Sequence, residues 1–463
     1  MATPMTQENK KGQHRPVYTF LYNVLLALVS PILLLWLAYR LLVRGKSQEG
    51  IWERMGVFPA DVQAICASGD PVVWFHAASV GEVAAAEPII GEFALREPLV
   101  RIVVSTITPT GRRRAEQMRS RHEIGIMYFP FDVPFVVQRV FSQMNPVAFV
   151  MVETELWPNV LAEAHRRGVR VAMVNARLAG RSWSTGRFLK PLYAWMLGAV
   201  DIICAQSKVD AERFVALGAA PSRVEVAGNS KFDQSFPDAG EARAMKWRSD
   251  FGFGPEEPLL LAGSTHADEE DQILQLYQQL RVEFLDLQLI IAPRHPERAD
   301  EIEALIRQHG YDVTRRTRVV AGGEAAPTGA QSAIARVGLL DTLGELASVY
   351  TAADVVFVGG SLARIGGHDI LQPLAQGKAV VFGPHTHKSR DTTELALRDG
   401  VACQVRNAEE LLVRVHELLT DERLRERLKL ESPQWIRTYA GASVRCAENL
   451  AELLQNDAHV EDG

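Results

Sequence analysis

Short runs of β-branched and other apolar residues alternate with helical segments along almost the whole chain, and this alternation limits the folds open to it. Strands that alternate with helices form parallel sheets with helices on both faces. The predicted strands are the runs 71–77, 101–106, 126–129, 147–152, 169–174, 200–205 and 224–227 in the first half, and 259–262, 287–292, 337–340, 355–358 and 379–382 in the second. We therefore predict an α/β protein with two doubly wound, Rossmann-like domains facing a cleft.

The alternation lapses between Asp233 and Pro258, where Pro, Gly and charged residues dominate, and then resumes. A chain of 463 residues also exceeds the size of one ordinary core, so two domains are expected. The predicted organisation is an N-terminal tail and anchor at 1–46, a domain at 47–235, a linker at 236–257, a domain at 258–440, and a C-terminal helix with its tail at 441–463.

The segment from Tyr18 to Tyr39 is almost wholly apolar and is close to the roughly 20 residues that a helix needs to cross a bilayer. Aromatic residues near its ends suit interfacial positions, and basic residues flank both sides. Charge rather than a small-residue cleavage site follows the segment, which argues against a cleaved signal peptide. The pattern predicts a membrane anchor, either a single-pass helix or a helix lying in the membrane surface.

The net charge and the cysteines indicate which kinds of partner and which cellular compartment suit the protein. The formal net charge of −6 argues against nucleic acid as the main partner. The four cysteines are far apart and form no Cys-x-x-Cys pair, which favours a reducing compartment without structural zinc.

Two glycine pairs follow the predicted strand 355–358, first Gly359-Gly360 with Ser361, and then Gly366-Gly367 before a helical segment. Glycines let a ligand approach the backbone, and a helix start favours anions. Ligands of open α/β sheets also bind at the carboxyl ends of strands. The stretch predicts a phosphate site, and the alternative is a glycine-rich turn without a ligand.

Charged residues follow several strands of the first half. Glu82 lies just after Ser79 and Gly81, where it is either a general base facing the cleft or a carboxylate that stabilises a helix start. Glu153 and Glu155 directly follow another strand, and either could instead cap the next helix. Lys231 follows the last strand of this half, where we place it in the cleft, although an exposed lysine is the commoner case.

In the second half, Arg294 ends a strand, where it can bind phosphate through two N–H groups or form a structural ion pair. His385 and His387 could suggest a metal. No carboxylate or cysteine set completes such a site in the sequence, so we expect no metal.

Taken together, ten segments resemble the Kdo (3-deoxy-D-manno-octulosonic acid) transferases of Gram-negative bacteria. The resemblance runs from the N-terminal segment to about residue 400, and its strength lies in the order of the motifs. They are HAASVGE, VETELWPN, NARL, GNSKFD, GSTHADEE, APRHPER, DTLGEL, FVGGS, GGHDILQP and FGPHT.

The resemblance implies a GT-B glycosyltransferase that moves Kdo from CMP-Kdo onto a lipid A precursor with inversion, without a cofactor. It implies the cell inner membrane as location, with the catalytic domains in the cytoplasm. Glu82 matches the family's base, and Glu153 and Lys231 match its transition-state-stabilising groups. The donor site is assigned to Pro293, Arg294, Leu343, Gly344, Glu345, Gly359, Gly360, Ser361, Asp369, Ile370, Leu371 and Gln372, and the acceptor site to Ser79, Gly81 and Arg177.

The chain departs from the family pattern at four positions. Asp369 and Gln372 stand where Asn and Glu are usual, which predicts rearranged ribose and cytosine contacts. Ala179 replaces a usual Ser, and Ser230 replaces a usual apolar residue. Two other functions stay open, namely another GT-B enzyme such as a nucleotide-sugar epimerase, and an inactive membrane-tethered binding protein.

Overall fold

The computed structural model describes residues 16–43, 50–178, 180–236, 240–321 and 335–455, with side chains throughout these ranges except at 16, 32–43, 180 and 181. Ala179 and the end of the predicted C-terminal tail, 456–463, lie outside the described residues. So does most of 321–332, whose small and polar residues predict a loose loop.

Helices and strands alternate from β1 onward. The strands are β1 Val72–His76, β2 Arg101–Thr106, β3 Ile124–Tyr128, β4 Ala148–Val152, β5 Arg170–Ala176, β6 Ile202–Ala205, β7 Val224–Val226, β8 Leu259–Thr265, β9 Gln288–Pro293, β10 Asp312–Arg315, β11 Arg336–Leu339, β12 Val355–Val358, β13 Ala379–Phe382 and β14 Ala402–Gln404. The helices are α1 Pro16–Val43, α2 Ile51–Arg54, α3 Ala60–Ala67, α4 Val80–Arg96, α5 Pro109–Met118, α6 Pro134–Met144, α7 Pro158–Arg167, α8 Gly180–Phe188, α9 Lys190–Gly198, α10 Lys208–Leu217, α11 Glu241–Phe251, α12 Glu269–Leu280, α13 Ala299–Gln308, α14 Arg316–Val320, α15 Leu346–Val349, α16 Leu371–Ala375, α17 Arg390–Arg398, α18 Ala408–Thr420, α19 Glu422–Tyr439 and α20 Ala442–Gln455.

The strands form two separate seven-stranded sheets in which every pairing is parallel. The first has the order β3-β2-β1-β4-β5-β6-β7, and the second has the order β10-β11-β9-β8-β12-β13-β14. The strand order reverses between β1 and β4 in the first sheet and between β8 and β12 in the second. Such switch points are where doubly wound sheets open a crevice for ligands.

Both faces of each sheet are covered, as parallel sheets require. In the first sheet, β1, β3 and β4 are buried along their whole length. Trp74 of β1 packs at its centre against Phe129, Phe141 and Phe149, with ring centroids 4.6–5.7 Å apart. These buried, near-continuous apolar strands explain why the sequence pattern predicts them well.

The chain divides into two compact units, one ending at Gln234 and resuming at Tyr439, the other running from Ser235 to Thr438. The region 236–257, predicted as a linker, contains helix α11 within the second unit. Its Trp247 and Phe251 are buried, and the Trp247 indole N–H donates to the Ser348 hydroxyl at 2.9 Å. Much of this region is therefore packed structure rather than a connector.

Helix α1 confirms that the apolar N-terminal segment is helical. No helix in the described part of the chain is both long enough and apolar enough to cross a membrane, so the predicted single-pass anchor is not confirmed. Polar side chains of α1 face the first unit. The amides of Asn23 and Asn159 exchange two hydrogen bonds of 2.9 Å, and Tyr22 hydrogen-bonds the buried Asp132.

Helix α20 carries the chain back to the first unit. Cys446, Ala447 and Leu450 are buried in the core that also contains residues of α4. The Asp233 carboxylate accepts hydrogen bonds from the backbone N–H groups of Gly441 and Ser443 at the start of this helix. Asp233 lies just before the chain leaves the first unit. It thus caps α20, the helix that completes the core of that unit.

Asp233→Ala should weaken this closure because two backbone donors at the start of α20 lose their acceptor. We expect the free energy of unfolding to fall by about 1–2 kcal/mol, measured by denaturant titration. The exposed Glu212 serves as the control, and Glu212→Ala should stay within about 0.5 kcal/mol of the parent. Equal stability of the two variants would show that the cap does not hold α20.

Candidate active site

Glu82 lies in the first turn of α4, immediately beyond β1 at the switch point of the first sheet. One oxygen of its carboxylate accepts the Ala78 backbone N–H at 2.7 Å, and the other accepts the Ser79 hydroxyl at 2.8 Å. The Ser79 hydroxyl in turn accepts the backbone N–H of Glu82. This reciprocal cap starts the helix and fixes the direction of the carboxylate.

The pKa of Glu82 is raised to about 7, chiefly by burial and in addition by the negative charges of Glu155 and Glu153, while the hydrogen bonds from Ser79 and Ala78 act in the opposite direction. A plain helix-start carboxylate is stabilised in its charged form. Glu82 has the opposite tendency, so its surroundings hold it ready to exchange a proton near neutral pH.

Glu153 follows β4, the other strand of the switch point, in a left-handed backbone conformation with φ 61°. A non-glycine residue in this region is strained, and such strain clusters at functional positions. Its carboxylate lies 3.3 Å from the Lys231 ammonium, and both side chains are half-buried. The structure therefore brings together two residues that lie 78 positions apart in the chain.

Glu155 contributes a second carboxylate of the same loop. It accepts the Trp157 indole N–H at 3.0 Å, and it lies 3.6 Å from Nε2 of the fully buried His76. Burial lowers the pKa of His76, and Glu155 opposes that effect. The sequence pattern placed His76 in a motif but assigned it no role, because its contact with Glu155 arises only when β1 and β4 pair.

The predicted acceptor residues lie at this edge too. A Cβ at Gly81 would meet only the Ser79 hydroxyl, at 3.9 Å, so glycine leaves the surface over the start of α4 uncovered. Arg177 follows β5, and its carbonyl accepts the Thr154 hydroxyl. Ser230, the departure from an apolar residue, is buried and donates to the Ala85 carbonyl at 2.8 Å, which satisfies its hydroxyl.

In the second unit, the glycine-rich stretch is not a free phosphate cradle. The backbone N–H groups of Gly360, Ser361, Leu362 and Ala363 all donate to the buried carboxylate of Glu269, at 2.7–3.1 Å. An internal carboxylate therefore occupies these four amides, and the assignment of Gly360 and Ser361 to the donor site stays a prediction.

Gly359 has a packing role instead. A Cβ there would lie 2.6 Å from the Ser264 carbonyl oxygen, so glycine is needed where the loop after β12 passes the end of β8. The Ser361 hydroxyl accepts the Gly383 N–H at 2.8 Å and donates to the Val358 carbonyl. Both predicted donor residues thus hold the switch-point loops together.

The other predicted donor stretches lie on the same unit. Glu345 forms a two-oxygen ion pair with Arg316, and Leu343 is exposed beside Gly344. The Asp369 carboxylate accepts the Leu371 backbone N–H at 2.9 Å just before α16. Ile370 and Leu371 are buried, and Gln372 is half-buried.

Basic side chains and histidines lie together at the carboxyl edge of the second sheet. Arg294 follows β9 with its side chain exposed, and its backbone N–H donates to the Thr265 carbonyl. Arg294, Lys388, His266 and His295 all act electrostatically on His368. The sequence motifs contained these histidines, but only the folded sheet shows that residues about a hundred positions apart meet. Among the described residues, no group of three or more His, Cys, Asp or Glu side chains is placed to hold a metal.

Comparisons with known proteins identify a family and several relatives. Residues 49–234 match the family described as 3-deoxy-D-manno-octulosonic-acid transferase (kdotransferase). The 3-deoxy-D-manno-octulosonic acid transferase of Bordetella pertussis is 30% identical over 445 residues, which cover 94% of this chain and 99% of that protein. A bifunctional glycosyltransferase/methyltransferase of Fusobacterium nucleatum is 32% identical over 386 residues, and this chain spans 57% of its length.

Among solved structures, the UDP-GlcNAc 2-epimerase of Neisseria meningitidis superposes with a TM-score of 0.54 at 12% identity, over 83% of this chain and 100% of that one. At that identity the likeness establishes the fold alone, which is the two-domain GT-B arrangement of parallel-sheet units.

The fold and the relatives define the chain as a glycosyltransferase. It belongs to the family of 3-deoxy-D-manno-octulosonic acid (Kdo) transferases, since it covers nearly the whole Bordetella relative at 30% identity. Membership supports a Kdo-transferring enzyme of lipopolysaccharide biosynthesis, and the family predicted from the ordered motifs is confirmed.

Glu269→Gln should destabilise the second unit because a neutral amide cannot accept all the N–H groups that the carboxylate accepts. We expect a loss of about 1–3 kcal/mol in the free energy of unfolding. The control is Glu256→Gln at an exposed position, which should change little. If both variants unfold at the same denaturant concentration, the carboxylate does not hold the glycine-rich loop.

Proposed function

We propose that this chain transfers Kdo from CMP-Kdo to a lipid A precursor, with Glu82 as the general base. The observation that carries the proposal is the environment of Glu82. A carboxylate with a pKa of about 7 accepts a proton far more readily than an ordinary carboxylate does. Glu82 lies at the switch point of the first sheet, at the same edge as the half-buried pair of Glu153 and Lys231.

In the proposed reaction, Glu82 accepts the proton of the acceptor hydroxyl while the hydroxyl oxygen bonds to the anomeric carbon of Kdo. The bond from that carbon to the phosphate oxygen breaks, and CMP leaves with the electron pair, so the sugar inverts. Lys231 is held by Glu153 and supplies positive charge near the developing negative charge.

Support for an anionic donor comes from the second unit. CMP-Kdo carries a phosphate and a carboxylate, and Arg294 and Lys388 place positive charge there beside several histidines. Asp369 and Gln372 stand where the family usually has Asn and Glu, so we propose that the nucleoside contacts differ in detail from those of relatives. A nucleotide-sugar epimerase is disfavoured by family membership.

We also propose that α1 lies in the surface of the inner membrane, with the catalytic domains in the cytoplasm. One face of the helix docks on the first unit through Tyr22 and Asn23, and the opposite stripe is apolar and exposed. On that stripe Phe20 is 67% and Leu28 is 71% exposed. A helix with one apolar and one docked polar face suits an interfacial position.

The proposed function is tested by incubating the protein with CMP-Kdo and a tetraacyl lipid A precursor and measuring the product mass. An increase by one or more Kdo residues supports it. No product under conditions in which a known Kdo transferase is active would refute it.

The rate should rise with pH through about 7, because Glu82 must be ionised to accept a proton and its folded-state pKa is raised to that value. Glu155→Gln should move this acid limb of kcat/KM to lower pH, since it removes a negative charge that raises the pKa of Glu82. Glu82→Gln should lower turnover by roughly 10²–10⁴.

Glu212→Gln, at an exposed position on α10, is the control and should leave the profile unchanged. An acid limb at the same pH in the parent and in Glu155→Gln would contradict the electrostatic coupling. Near-normal turnover of Glu82→Gln would remove Glu82 as the base.

The interfacial position of α1 predicts that Phe20→Glu combined with Leu28→Glu lowers binding to vesicles of anionic phospholipid, because charged side chains resist burial. Activity on acceptor dispersed in detergent should persist. The matched control is Val282→Glu with Leu285→Glu, which alters two exposed apolar residues of the second unit. If both pairs of substitutions bind vesicles equally well in flotation assays, α1 does not contact the membrane.

A further inference from the structure

Two histidines meet at the switch point of the second sheet. His266 follows β8 and His368 follows the second glycine pair, and their Nε2 atoms lie 2.8 Å apart in nearly parallel rings. A hydrogen bond between two imidazole nitrogens contains one proton, so one ring donates and the other accepts. Each ring then has its Nδ1 on the side away from this bond.

The loop beneath the pair is built to admit it. A Cβ at Gly360 would lie 2.9 Å from the His368 ring and 3.3 Å from the His266 ring, so glycine at this position makes room for both. Glu269 holds the same loop through four backbone N–H groups. The most prominent glycine motif of the sequence therefore supports a histidine pair.

The charges around the pair are mostly positive. Arg294 and Lys388 face it from the β9 and β13 loops beside the His295 side chain, and Glu269 is the acidic residue that acts on His266. The Glu269 carboxylate is already bonded to backbone amides. His266 also lines a cavity of about 510 Å³ together with the charged residues Asp268 and Arg364. This arrangement favours an anion beside the pair.

The same surroundings keep the unliganded pair neutral. Burial lowers the pKa of His368 to about 3, helped by the charges of Arg294, His266, Lys388 and His295, and burial also lowers the pKa of His266. A bound anion would oppose these effects, because negative charge favours the protonated imidazole.

We propose that the His266–His368 pair takes up one proton when the phosphate of the CMP-sugar binds, and that the ring facing the phosphate then donates its Nδ1–H to it. The neutral pair has one Nδ1–H, whereas the protonated pair has one on each ring. Proton uptake thus gives the pair a positive charge and an Nδ1–H donor on whichever ring faces the phosphate. The proposal rests on the proposed CMP-sugar donor and adds two residues to its site.

The role in transfer follows from the charge balance. When the sugar–phosphate bond breaks, the electron pair stays on the phosphate oxygen and the phosphate gains one negative charge. The protonated pair offsets that charge without giving up its proton, while the proton of the acceptor hydroxyl goes to Glu82. When CMP leaves, the pair releases its proton to solvent and returns to the neutral state.

The test uses CMP as the probe and the full-length protein at pH 7.5, where a phosphate monoester is mostly doubly charged. Calorimetric titrations in two buffers of different ionisation enthalpy give the number of protons taken up. We expect roughly one for the parent and almost none for His266→Asn combined with His368→Asn. His416→Asn, on α18 away from the pair, should behave as the parent.

The double variant should also bind CMP roughly tenfold more weakly, as expected for lost charge-assisted hydrogen bonds, whereas cytidine should bind the two proteins alike. A second measurement needs no variant: between pH 7 and 9 the logarithm of the parent's CMP affinity should fall with a slope approaching about −1. CMP binding without proton uptake, and with a flat slope, would overturn the inference and leave the proposed function intact. Absence of any CMP binding would overturn both.

Discussion

The desolvation of Glu82 beside two other carboxylates is the constraint on which the chemistry of the first unit depends. Parallel strands bring the ends of β1 and β4 to one edge, so Glu82, Glu153 and Glu155 cannot all be fully solvated and far apart. The free-energy cost of burying a charged carboxylate is reduced for Glu153 by its ion pair with Lys231. For Glu155 it is reduced by the contacts with Trp157 and His76. Within the described part of the chain, no cation is hydrogen-bonded to Glu82, and its carboxylate accepts two neutral donors, so it is the carboxylate with the raised pKa.

Much of the fold could be predicted from the sequence because buried parallel strands are continuous apolar runs. The edge strands β10 and β14 were missed, since Asp312–Arg315 and Ala402–Gln404 are short and only partly buried. Helix α11 was missed because Pro, Gly and charged residues surround it, and its core contacts depend on Trp247 and Phe251. The docked face of α1 could not be foreseen, because the buried partners of Tyr22 and Asn23 lie more than a hundred residues away.

The candidate site was predicted where local pattern and strand ends coincide, as for Glu82 and Lys231, which the structure places at one sheet edge. The sequence gives less information about the site where a distant residue decides which polar groups are occupied. The glycine-rich loop has the local features of a phosphate site, yet Glu269, about 90 residues earlier in the chain, occupies its amides. The His266–His368 contact spans 102 positions and leaves no local sequence signal. Both cases show that packing, rather than motif, decides which polar groups remain available to a ligand.

The most direct test of this account is the titration of the Glu82 carboxyl group itself. Infrared difference spectra of the parent against Glu82→Gln, recorded as a function of pH, isolate the carboxyl band of this one residue. If Glu82 is the buried base, its protonation midpoint is about 7. A midpoint near 4.5, the ordinary value for a glutamate, would contradict it, because Glu82 would then be no more basic than a solvent-exposed carboxylate.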